Sequence, residues 1–149
     1  MELIRITKEF HFEMAHALKN YDGACKNIHG HSYRLLVTLR GRPIQEADNP
    51  KDGMVMDFQD LKTAVKKPIV EKLDHSLVLN GSTDKDLVKD LGELYEKVYV
   101  FDFQPTCENL AIHIASEIKS QLPPGIQLFS LKLYETASSF AEWYADDNP

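Results

Sequence analysis

The tripeptide His29-Gly30-His31 sets two imidazoles on the same side of an extended segment, because side chains alternate along a strand, and both can then reach one ion. His16 falls in phase with Phe10, Phe12 and Met14, at the end of a core-facing row. Three neutral imidazoles suit zinc and leave a fourth tetrahedral position for water or substrate, as catalytic sites require. A His-x-His pair alone could equally cap a strand; the third histidine and a nearby cysteine favour the metal. Cys25 sits four positions before His29 and admits two roles. Close to a divalent cation a thiol loses its proton readily, which suits a general base. As a fourth ligand it would instead close a structural site with His16, His29 and His31. Glu135 follows Phe129, Leu131 and Leu133 on one strand face, so it carries a carboxylate to the core edge, where it needs donors, unless it is an exposed strand-end residue. Thr106 and Cys107 begin a helix whose first N–H groups have no partner within it, although Cys107 could be a helix-start residue and no more. Asp74-His75 on its own reads as a helix end, and His11 and His113 as surface or packing histidines.

The elements that must hold these residues are legible in the pattern. Ile4, Ile6, Phe10, Phe12 and Met14 recur at even positions and predict a half-buried strand ending at His16. A turn-rich loop, Asn20-Tyr21-Asp22-Gly23, leads to a second strand on which His31, Tyr33, Leu35, Val37 and Leu39 share a face, and the two are expected to pair antiparallel. Asp57 reads as a helix start before the stripe Leu61, Ala64, Val65 and Ile69, with Pro68 expected to bend or end the helix. Leu87, Leu91, Leu94 and Tyr95 have helical spacing, weakened by Gly92, and a short strand is expected over 98–103. Thr106 caps a helix with the stripe Leu110, Ile114, Ile118 and Leu122, stopped by Pro123-Pro124-Gly125, and Phe129, Leu131 and Leu133 predict a last strand. Together these give an α+β layout, an antiparallel sheet covered on one face by helices.

A chain of 149 residues, 43% hydrophobic, can bury one core, so a single domain over 1–149 is expected. The opening Met1-Glu2-Leu3-Ile4-Arg5-Ile6 lacks the apolar core of a signal peptide, and no run of about 18 apolar residues occurs, which predicts a cytoplasmic protein without a membrane span. In that compartment Cys25 and Cys107 stay reduced. A net charge of -6 argues against nucleic-acid binding, while a polyanionic small molecule would need local cations.

Six segments in order resemble one family. They are Phe12-Glu13-Met14-Ala15-His16, Cys25-Lys26-Asn27-Ile28-His29-Gly30-His31, Met56-Asp57-Phe58, Leu73-Asp74-His75, Pro105-Thr106 and Tyr134-Glu135-Thr136. The pattern resembles the 6-pyruvoyltetrahydropterin synthases, and the three-residue spacer between Cys25 and His29 is similar to that of the 6-carboxytetrahydropterin synthases of queuosine biosynthesis, where the animal biopterin enzymes have a longer one. The resemblance implies the tunnelling fold, an antiparallel four-stranded sheet with two main helices on one face, assembled as a homohexamer with active sites between subunits. It implies Zn2+ on His16, His29 and His31, catalytic Cys25, Asp74, His75 and Glu135, and a pterin triphosphate bound by Glu135, Thr106 and Cys107. Cys25 would be the general base, Asp74 would orient His75 of its own or a neighbouring subunit, and Glu135 would anchor the pterin ring. Conversion of 7,8-dihydroneopterin triphosphate to 6-carboxytetrahydropterin, acetaldehyde and triphosphate is the activity implied; 6-pyruvoyltetrahydropterin synthesis and a non-catalytic zinc module closed by Cys25 are the alternatives. Two departures stand out: Met14 replaces a frequent alanine, and the segment 81–104 is longer than in compact bacterial members.

Overall fold

The computed structural model describes residues 2–149. β1 (Ile4–His16) and β2 (His29–Gly41) pair antiparallel along their length, with Ile4 opposite Gly41 and His16 opposite His29. Their even and odd positions respectively point into the core, where Phe12, Met14, Tyr33, Leu35 and Val37 are all buried. The opposite phase, including Glu13 and Ser32, faces outward, as alternation requires.

α1 (Phe58–Val65) is capped by Asp57, whose carboxylate accepts from the Gln59 N–H at 2.7 Å. The helix neither bends away nor stops at Pro68. It widens into a π-helical turn, Lys66–Val70, and runs on through α2 (Glu71–Leu73), so Leu61, Val65, Ile69 and Leu73 remain on one buried stripe. A proline has no N–H to donate, and a π-turn absorbs the missing bond without interrupting burial. β3 (Ser76–Asn80) follows and pairs parallel with β1, Met14 opposite Ser76.

The segment 81–104 forms α3 (Lys85–Leu94), capped by Asp84, and β4 (Val98–Phe101), which pairs parallel with β3. α4 (Cys107–Gln121) is capped by Thr106, which accepts from the Asn109 N–H at 3.2 Å, and lays Leu110, Ile114 and Ile118 on the sheet. Each fully buried leucine or isoleucine of this kind contributes about 1.5–3 kcal/mol by leaving water. β5 (Gln127–Tyr134) pairs antiparallel with β2, and β6 (Phe140–Tyr144) with β5.

The sheet is therefore mixed and six-stranded, in the order β4-β3-β1-β2-β5-β6, and not the four-stranded antiparallel sheet expected. The two parallel pairings come from crossover segments, which local alternation does not encode. α3 is the helix that the spacing of Leu87, Leu91 and Leu94 predicts, and it stands beside the two main helices that the resemblance implies. A register shift opposite Thr38 and Leu39 also displaces Phe129 from the inward row; Leu128 is buried in its place. Phe129 instead lies beneath the guanidinium of Arg5, 4.0 Å from the ring centre.

Candidate metal centre and active site

Strand register brings His16 and His29 opposite one another at the end of the β1–β2 ladder, with His31 one inward position further along β2. Continuing the β2–β5 register one step beyond Arg34 and Tyr134 sets Glu135 opposite Tyr33, beside His31. One donor atom from each of His16, His29, His31 and Glu135 lies within 4.8 Å of the others, and among the described residues no other group of histidine, cysteine or acidic side chains converges in this way.

Hydrogen bonds fix which imidazole nitrogen faces the cluster. His16 Nδ1 donates to the Pro105 carbonyl at 2.7 Å, and His29 Nδ1 donates to the Asn27 carbonyl at 2.7 Å. Each tautomer then leaves an Nε2 lone pair pointing inward. The Nε2 atoms of His16 and His29 are 3.1 Å apart, and Glu135 Oε1 lies 3.1 Å from His31 Nε2 and 3.4 Å from His16 Nε2. His31 Nε2 is buried without a hydrogen-bond partner despite that short approach, because the carboxylate oxygen is off its bonding direction. Crowded lone pairs facing one another repel unless a cation sits among them. Zinc–imidazole bonds of about 2.0–2.1 Å put tetrahedral ligand atoms roughly 3.3 Å apart, close to these separations. The donor set therefore fits a divalent metal.

Burial pushes His31 below the ordinary imidazole value; the charge of Glu135 opposes this, and His16 and His29 add to it. The adjacent imidazole of His16, its Nε2 3.4 Å away, holds Glu135 below the usual carboxylate range against the opposing effect of burial, with the charges of His31, His16 and His29 assisting. A neutral imidazole is the form that binds a metal, and an ionised carboxylate beside it is an acceptor for N–H donors.

The family model described as 6-pyruvoyl tetrahydropterin synthase matches residues 5–146. The chain belongs to that family. It is 35% identical, over 95% of its length and 99% of the relative's, to a 6-carboxy-5,6,7,8-tetrahydropterin synthase of Haemophilus influenzae. A 6-pyruvoyl tetrahydrobiopterin synthase of Pongo abelii is 37% identical over 76% of this chain and 66% of its own. Among solved structures, the Caenorhabditis elegans 6-pyruvoyl tetrahydropterin synthase superposes with a TM-score of 0.68 at 26% identity, covering 97% of both chains.

Within this synthase-family chain the remaining residues separate. Cys25 sits partly exposed in the loop between β1 and β2, its carbonyl accepting from the Leu18 N–H, and it is outside the four-residue cluster. Glu135, not Cys25, is the side chain that joins the three imidazoles. Asp74 and His75 also lie outside it. His75 borders a cavity of about 830 Å³ together with the outward-facing Glu13 and Ser32, and its side chain is 77% exposed. Thr106 stands next to Pro105, so the first turn of α4 abuts His16. Cys107 turns into the core: its thiol donates to the Leu133 carbonyl at 3.3 Å, and burial pushes it up to about 11. His11 is exposed beside Glu9, and His113 packs on Phe101 and Phe103.

Tyr33 was legible only as an apolar strand position. It is 1% exposed, its hydroxyl has no partner, and its ring meets those of His31 and His16 edge-on at 5.7 and 6.3 Å. The carbonyls of Asn27 and Pro105 carried no signal either, since nothing in side-chain spacing marks which backbone oxygen receives an imidazole.

Proposed function

We propose that this chain is a zinc-dependent 6-carboxy-5,6,7,8-tetrahydropterin synthase, which takes 7,8-dihydroneopterin triphosphate and water to 6-carboxytetrahydropterin, acetaldehyde and triphosphate. The observation that carries the reading is the convergence of three inward Nε2 atoms with one carboxylate at the end of the β1–β2 ladder. Relatives bearing that name match almost the whole chain, and the short Cys25-to-His29 spacer supports the same branch.

Bound zinc would supply Lewis acidity at the oxygen atoms of the substrate side chain. The residues of the chain do the rest. His16, His29 and His31 hold the metal, the outward nitrogens of His16 and His29 being anchored on carbonyls. Glu135 accepts from the 2-amino group and the adjacent ring N–H of the pterin, and at the opening turn of α4 the Cys107 N–H is offered to its carbonyl edge, beside Thr106, whose own N–H donates to the Gln104 carbonyl at 2.8 Å. Cys25 removes a proton from the substrate side chain, and His75, oriented by Asp74 at 3.1 Å, returns one. His75 is not among the four clustered side chains, and its partner in this exchange is taken to be the metal cluster of a neighbouring copy, with a homohexamer of shared sites as the working assembly.

The second reading, 6-pyruvoyltetrahydropterin synthesis, is favoured by the similarity to the Pongo abelii enzyme. Mass spectrometry of products formed by zinc-loaded protein from dihydroneopterin triphosphate separates the two. Acetaldehyde with the carboxylated pterin is expected; retention of a three-carbon side chain would move the protein to the other branch, and no turnover would remove both.

A further inference from the structure

The peptide joining Asp74 to His75 is held from both of its sides. Its N–H, that of His75, donates to the Glu13 carbonyl at 2.6 Å, and its carbonyl, that of Asp74, accepts from Lys97 Nζ at 2.7 Å. A planar peptide anchored at both its donor and its acceptor has no freedom to rotate about the chain. That matters here because His75 has φ of 60°, a left-handed conformation that side-chain-bearing residues rarely adopt without external constraint. The same Lys97 Nζ reaches the Glu71 carbonyl at 2.5 Å, so it ties the first residue of α2 to the turn that carries His75. Lys97 is itself fixed: its carbonyl accepts from the Leu77 N–H at 2.9 Å, and the next residue, Val98, begins the β3–β4 ladder opposite Leu77.

We propose that Lys97 is a positioning residue that sets the orientation of His75, and that the long segment 81–104 serves the site by delivering this amine beneath the turn. The effect passes through the backbone alone. Asp74 orients the ring, with its carboxylate 2.8 Å from the Glu13 N–H and 3.1 Å from His75 Nδ1, while Lys97 sets the direction from which that ring enters the cavity.

The inference rests on the reading of His75 as a proton-transfer group. Steady-state kinetics on dihydroneopterin triphosphate test it with zinc-loaded wild type, Lys97→Met, His75→Ala and the double variant, alongside hydrogen exchange at the His75 amide. Lys97→Met is expected to lower kcat about 10- to 100-fold, the scale of an ångström misplacement of a reacting group, with KM nearly unchanged. It should also hasten exchange at the His75 amide. In the His75→Ala background the same substitution should cost less than about 2-fold, since two changes acting through one group do not add. Lys97→Arg, which keeps the donors, should retain most of kcat. Equal losses in both backgrounds, or wild-type kcat in Lys97→Met, overturn the inference. His75→Ala with wild-type kcat overturns the reading of His75 itself, and the inference with it; a slow His75→Ala with a fast Lys97→Met removes only the inference. Should Lys97→Met not fold, Lys97→Gln carries the same comparison.

Discussion

The cluster asks different things of its four side chains. His29→Ala removes one of three imidazoles and leaves a pair too weak to retain zinc, so metal content after dialysis is expected to fall to near zero and turnover with it. Glu135→Gln keeps an acceptor oxygen but presents an amide N–H₂ where the pterin offers a donor. Zinc content should persist while affinity for a pterin ligand, read by calorimetry, drops about 10-fold or more. Full zinc in the first variant removes His29 from the ligand set, and unchanged pterin affinity in the second removes Glu135 from the binding site. The two thiols also differ. Cys107 is buried, bonded to Leu133 and pushed up to about 11, whereas Cys25 is partly exposed. A thiol reagent near pH 8 should modify Cys25 in the native protein and reach Cys107 only after unfolding. Equal labelling rates would show that the α4 start opens readily.

At the scale of elements, the contact between α4 and β4 carries a pH dependence. His113 packs 4.7 Å from Phe101 and 5.6 Å from Phe103, centre to centre. Burial lowers its tendency to bind a proton; Glu117 opposes this and Lys72 reinforces it. A histidine whose folded value lies below its unfolded one stabilises the fold fully above about pH 6.5 and loses that contribution as pH falls toward the lower, folded value. The melting temperature is therefore expected to decline between about pH 7.5 and pH 5.5, and to decline less in His113→Gln. An identical slope in the variant would assign the effect elsewhere. The elements themselves were unequally readable. β1, β2, α1 and α4 show clean periods because one face meets the core and the other meets water. β3 is five residues long and buried at Ser76, Val78 and Leu79, on both of its faces, which erases alternation. β6 shows Trp143 as its single buried residue, too little for a period.

For the whole molecule, the proposed hexamer has a measurable signature. None of the described residues of α3 is buried, and Leu87, Leu94 and Tyr95 are exposed at 50%, 72% and 62%. Light scattering during size exclusion is expected to give six chain masses, and a monomer at working concentrations would leave His75 without a metal cluster to serve. Among the described residues no helix is long and apolar enough to cross a membrane. The sequence by itself determined the family, the antiparallel β1–β2 pair, the caps at Asp57 and Thr106 and the three histidines, because all of these follow from residue types at short spacing. Only the tertiary structure decided that Glu135 completes the imidazole cluster, since its approach depends on the β2–β5 register, which no local pattern announces. The same holds for Lys97 beneath His75. Those arrangements are set by which strands cross over to lie side by side, a choice made by burial of the whole core and not by any segment alone.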